Sequence, residues 1–108
     1  METVQLGRTG LTVSRLCLGS WQASGWIDSD DQRFIAVVRK AIDLGITFID
    51  TAEVYADGKA EQLISKAIEG QRHSIVLATK FSHRHARADK LRNALEQSLR
   101  RLRTDYID

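Results

Sequence analysis

Short apolar runs alternate along this chain with longer stretches in which apolar residues recur at helical spacing. Ile46, Phe48 and Ile49 predict a buried strand, bounded by Gly45 before it and by Asp50-Thr51 after it. Ile75 to Thr79 predicts a second strand, which ends in Lys80. Arg15 to Ser20 is the first core-strand candidate, with Gly19 near its end permitting close backbone approach. Upstream of it, Thr3 to Leu6 and Leu11 to Val13 flank the turn Gly7-Arg8-Thr9-Gly10 and predict a small hairpin that is an appendage to the core.

Between the strands the period changes from two to that of a helix. Ser29 with Gln32 forms a capping-box signal, and Phe34, Val38, Ala41 and Ile42 share one face of a helix that stops at Gly45. Ala60, Leu63, Ile64, Ala67 and Ile68 make the stripe of a second helix, up to Gly70. Leu91, Ala94, Leu95, Ser98, Leu99 and Leu102 make that of a third, and Tyr106-Ile107-Asp108 opens a further strand.

Strands and helices that alternate in this way predict an α/β fold with a parallel sheet. After the hairpin (1–14), residues 15–108 read as βαβαβα plus the start of a fourth strand, with core strands beginning near residues 46, 74 and 105. Eight such units make a TIM-type (β/α)8 barrel, of which this is about three and a half, whereas an open doubly wound sheet needs about five; the residues here complete neither. The Gly-rich fingerprint of a dinucleotide-binding Rossmann unit does not appear after the first strand, since Gly19-Ser20-Trp21-Gln22-Ala23 lacks its second and third glycines.

Composition narrows the classes of function. The 108 residues are 43% hydrophobic and 28% charged, enough for one modest globular unit, and the net charge of +2 provides no field for nucleic acid or a membrane surface. Cys17 is the only cysteine, so no intrachain disulfide forms; inside an apolar strand it reads as a small core residue. No apolar run approaches the roughly 20 residues that span a bilayer, and METVQLGRTG has no signal-peptide core. A soluble cytoplasmic protein is expected. The basic residues Arg84, Arg87, Lys90, Arg92, Arg100, Arg101 and Arg103 are interrupted by Asp89, Glu96 and Asp105, the pattern of a solvated helix face, although Arg84 and Arg87 fall near a strand exit where phosphates could be met. His83 and His85 have no third partner for a metal, and a solvated loop is expected there.

The candidate chemistry sits where the strands end. Residues at the carboxyl ends of parallel strands, and in the loops that follow, face substrate. Here one strand delivers Asp50, the next delivers Lys80, and the loop between carries Tyr55. Reducing a carbonyl requires a hydride and a proton delivered to the oxygen as charge builds on it. A phenol of pKa about 10 is a reluctant donor, and a neighbouring ammonium favours its ionised form. Tyr55, Lys80 and Asp50 therefore suit the parts of acid, tuner and anchor. An Asp-Lys pair across adjacent strands with a tyrosine over a core is also an ordinary structural arrangement. Trp21 and Trp26 follow the first strand, where they either pack over loop residues or line a pocket.

The segments LGRTGLTVSRLCLGSW, FIDTAEVYADGKAEQLISKAI, IVLATKF and SLRRLRTDYID, in this order, resemble the N-terminal part of the aldo-keto reductases, NADPH-dependent barrel enzymes, over essentially the whole chain. The resemblance implies reduction of aldehydes or ketones, with Tyr55 as general acid, Lys80 tuning it and Asp50 anchoring Lys80 beside the nicotinamide. It also implies that Ser20 and Trp21 border the nicotinamide. The family's catalytic histidine falls beyond Asp108, and so do the loops that grip the cofactor's phosphates. Ala56 stands where a glycine often follows the tyrosine, with Gly58 available to supply the turn. Three readings follow: a truncated N-terminal part, inactive alone, that self-associates; an enzyme as it stands; and a non-catalytic binding or assembly module akin to the reductase-like subunits of potassium channels.

Overall fold

The computed structural model describes residues 1–24 and 30–108. Strands β1 (Thr3–Gln5) and β2 (Thr12–Ser14) pair antiparallel as the predicted hairpin. Strands β3 (Cys17–Gly19), β4 (Phe48–Asp50) and β5 (Val76–Ala78) form a parallel sheet in the order β3-β4-β5. Between and after them run helices α1 (Asp31–Asp43), α2 (Lys59–Ala67) and α3 (Ala88–Leu102). The α/β architecture with parallel TIM-barrel-type units is the one the sequence predicts.

Helix α1 begins at Asp30, whose carboxylate accepts from the backbone N–H groups of Gln32 at 2.9 Å and Arg33 at 3.1 Å. It fills the cap expected of Ser29, which lies outside the described residues. At the far end Gly45 stands at φ 89°, a left-handed conformation that stops the helix. Ile35 and Val38 of α1 and Leu63, Ile64 and Ala67 of α2 pack with Ile49 of β4 and Leu77 of β5 into one core.

The sheet's register decides what this core leaves bare. Leu18, Ile49 and Leu77 stand opposite one another on the helix side, so Cys17, Phe48 and Val76 in one row and Gly19, Asp50 and Ala78 in the next point the other way. No described element covers that second face: Cys17 is exposed, and Phe48, Val76 and Ala78 are only half-buried. The reading of Cys17 as a core residue is therefore corrected, because its strand is buried on one side only. In the same way α3 buries Ala94, Ser98 and Leu102 and leaves Leu91 and Leu95 exposed at one end of its stripe. Among the described residues no helix is long and apolar enough to cross a membrane.

Two attachments tie the ends of the chain to this sheet. The Ser14 hydroxyl accepts from Thr47 N–H at 3.0 Å and Phe48 N–H at 3.1 Å, and so caps the entrance of β4. The hairpin is thus more than an appendage, since Val13 and Ser14 are both buried. Tyr106 to Asp108 does not complete the predicted fourth strand, although Asp108 N–H donates to Leu77 O at 3.2 Å. The Asp108 carboxylate takes the Leu77 N–H, at 2.9 Å, in place of a ladder carbonyl. Arg72, which the sequence does not mark, holds this segment by bonds to Ile75 O at 2.7 Å, Tyr106 O at 3.0 Å and the Asp108 carboxylate at 2.8 Å.

Candidate active site

Beyond the strands, the ladder continues into the loops. Ser20 N–H donates to Asp50 O at 3.0 Å, Thr51 N–H to Ala78 O at 2.9 Å, and Glu53 N–H to Lys80 O at 3.1 Å. These bonds fix the three exits side by side, which is why Asp50 and Lys80, on the same uncovered face, can meet. The Lys80 ammonium donates to both Asp50 carboxylate oxygens at 2.6 Å and to Thr51 O at 2.8 Å. All three of its protons are committed. It also lies 5.2 Å from the centroid of the Tyr55 ring, within cation–π range. The structure therefore brings together Asp50, Lys80 and Tyr55, the three residues singled out by the strand-exit argument.

Tyr55 owes its place to an unusual turn. After it, Ala56 at φ 51°, Asp57 at φ 54° and Gly58 at φ 85° are all left-handed. Gly58 is suited to this, and has a second reason to be glycine: a Cβ there would come 2.7 Å from Arg101 Cδ. Ala56 is strained, because its Cβ crowds the backbone in that region. Ala56→Gly is expected to raise the unfolding free energy by about 1 kcal/mol, measured by urea denaturation; an unchanged or lowered midpoint would contradict the strain.

Side chains that sequence reasoning missed stand behind the site. Glu61 of α2 is 0% exposed, and its carboxylate accepts from Thr79 Oγ1 at 2.7 Å and from Arg101 Nε at 2.6 Å. Arg101 thus belongs to a buried network and not to the solvated face expected of it. Glu53 pairs with Ser82 N–H and with His85 Nδ1, the latter at 2.7 Å, so His85 is not a free loop histidine. Burial by itself opposes ionisation of Glu53, but the Ser82 N–H, His85 and the charge of Arg101 together hold its carboxyl below the usual range. Among the described residues no group of three potential ligands could hold a metal.

A cavity of about 570 Å³ opens in front of the triad, lined by Val54, Tyr55, Lys80, Phe81, His83 and Arg84 among others. It offers apolar walls, a phenol and two basic side chains. On the other side of Asp50, Ser20 is wholly buried with no hydrogen-bond partner for its hydroxyl, whereas Trp21 is 55% exposed. Of the two residues expected to border a nicotinamide, Trp21 is exposed and Ser20 is buried. Trp26 lies outside the described residues.

A family model described as the Aldo/keto reductase family matches residues 15–108. The chain belongs to this family. An aldo-keto reductase of Bacillus subtilis, YhdN, is 40% identical over all of this chain, which covers 36% of that protein. A thermostable aldo-keto reductase crystallised with the inhibitor epalrestat superposes with a TM-score of 0.90 at 40% identity, over 100% of this chain and 41% of its own. An aldo-keto reductase from Klebsiella pneumoniae in complex with NADPH superposes with a TM-score of 0.83 at 43% identity, over 90% of this chain and 34% of its own. This family member thus spans little more than a third of the length of the relatives it matches. Within that third lie the hairpin and the three strand exits that carry the candidate site.

Proposed function

We propose that the chain is the N-terminal part of a (β/α)8 reductase that converts aldehydes or ketones to alcohols with NADPH, and that it is inactive without the remaining units. The observation that carries this reading is the Lys80 ammonium held between the Asp50 carboxylate and the Tyr55 ring at a common strand-exit rim. Its family membership and the NADPH complex of the Klebsiella pneumoniae relative support the cofactor. NADPH, when bound, supplies the hydride.

The chain's own residues divide the remaining work. Tyr55 donates its phenolic proton to the carbonyl oxygen as negative charge develops there. Lys80 cannot be the donor without breaking one of its three bonds, so it acts as a fixed positive charge beside the ring that is losing its proton. Asp50 and Thr51 O hold that charge in place. Asp50 and Trp21, with Ser20 buried behind them, would border the nicotinamide end of the cofactor, and the cavity beside Val54 and Phe81 takes the small carbonyl substrate. A reducing, cytoplasmic setting accords with the single cysteine.

The uncovered sheet face supports the requirement for further units. Among the described residues no layer covers Phe48, Val76 and Cys17, and Leu91, Leu95, Phe81 and Ile107 line a second apolar cavity beside β5. Exposed apolar rows of this kind drive association, so the chain alone is expected to sediment as a dimer or larger species. A monomer with a cooperative melt would contradict it.

The activity is tested by joining residues 1–108 to the downstream remainder of the Bacillus subtilis relative and following NADPH consumption with a reactive aldehyde. Turnover by the joined protein and none by the chain alone is the expected result. A folded joined protein without turnover would overturn the assignment, and turnover by the chain alone would overturn its dependence on further units.

A further inference from the structure

Between Asp50 and Tyr55 stands Glu53, a residue with no part in the proton chemistry, whose side chain is nonetheless only 9% exposed. Its backbone N–H donates to Lys80 O at 3.1 Å. Its carboxylate oxygen Oε1 accepts from the Ser82 N–H and from His85 Nδ1, the latter at 2.7 Å. An ionised carboxylate has no proton to give, so His85 Nδ1 is the donor in that pair. Bonds from one residue thus grip the β5 exit loop at residue 80 itself and beyond it, at 82 and at 85.

We infer that Glu53 is a positioning residue for Lys80, clamping the loop that carries the ammonium to the loop that carries Tyr55. The inference rests on the reading of Lys80 and Tyr55 given above, and it adds a reason for their alignment. Lys80 reaches Asp50 and the Tyr55 ring from a backbone that is no longer in a regular strand, since β5 ends at Ala78. Without an anchor past residue 80, only the Lys80 side-chain bonds to Asp50 and Thr51 O and one backbone bond would hold the loop against the β4 exit. Glu53 supplies that anchor from the Tyr55 loop, so whatever moves residues 80–85 must move the phenol with them. Its charge faces His85 and Arg101, both basic, which keeps the carboxylate ionised and able to accept both bonds.

The test reads geometry, independently of turnover. In the wild-type chain, with the Lys80 ammonium 5.2 Å from the Tyr55 ring centroid, the Lys80 ε-methylene and the Tyr55 ring protons are expected to give a nuclear Overhauser contact. Glu53→Ala is expected to abolish this contact and to speed hydrogen exchange at the Ser82 amide at least about tenfold. Glu53→Gln, whose amide oxygen still accepts from Ser82, should restore both. Should the alanine variant fail to fold, Ser82→Pro removes the N–H donor, together with the hydroxyl that accepts from Arg84 N–H at 3.3 Å. Ser82 sits at φ −67°, which proline accepts, and this variant too should lose the contact, while Ser82→Ala, which removes only the hydroxyl, should keep it. A contact that is missing in the wild type, persists in a folded Glu53→Ala or Ser82→Pro chain, or is not recovered by Glu53→Gln overturns the inference. Failure of the catalytic reading shows separately, as full turnover in a joined Tyr55→Phe protein, and leaves the contact measurements unaffected.

Discussion

Arg101→Met should cost about 3–5 kcal/mol of stability, the amount typical of breaking a buried ion pair from one side. The methionine keeps an apolar stem against Gly58, where Arg101 Cδ now packs, so the loss reports the charge and not the packing. What remains is the Glu61 carboxylate, 0% exposed, with a single hydrogen bond from Thr79 Oγ1. A domain of this size is stable by only about 5–15 kcal/mol in total, so the variant should be largely unfolded in mild denaturant. The double variant Glu61→Gln/Arg101→Met should recover much of the loss, because no uncompensated charge is left behind. Urea denaturation at one fixed protein concentration reads both effects. A loss below about 1 kcal/mol in the single variant would mean that the pair is solvated and worth no more than a surface bridge.

This network matters to the site because of where Thr79 lies. It is the neighbour of Lys80, and Glu61 stands in the first turn of the helix that follows the Tyr55 loop. Glu61 and Arg101 therefore tie α2, α3 and the β5 exit together beneath the rim, while Glu53 ties the two loops above it.

Asp50, Tyr55 and Lys80 were legible in the sequence because each lies at or just past the end of an apolar run, and parallel strands put such ends together. The strands, the three helices and the hairpin were legible for the same reason: a period of two or of 3.6 shows in the order of residues. Glu53, Glu61, Arg72 and Arg101 were not. Glu61 and Arg101 are 40 residues apart, and nothing local marks a glutamate as buried or an arginine as its partner. Cys17, Leu91 and Leu95 failed in the opposite direction. Periodicity shows which apolar residues share a face, and it says nothing about whether another layer covers that face. The strained Ala56 lies between these cases, since the Asp57-Gly58 pair that follows it hints at a turn without giving its handedness.

The central claim is that the proton comes from Tyr55. Replacing it with phenylalanine removes one oxygen and leaves the ring, so the Lys80–Asp50 pair and the packing of the ring against the core remain. General acid catalysis by a positioned group contributes about 10²–10⁴ in rate. Since the phenol acts on charge that develops only in the transition state, the loss should fall on kcat with KM little altered. The decisive measurement is NADPH consumption by the joined protein with and without Tyr55→Phe, at saturating aldehyde and neutral pH. A fall in kcat of at least about a hundredfold is the predicted result; a phenylalanine protein that turns over at the parent rate would contradict the account.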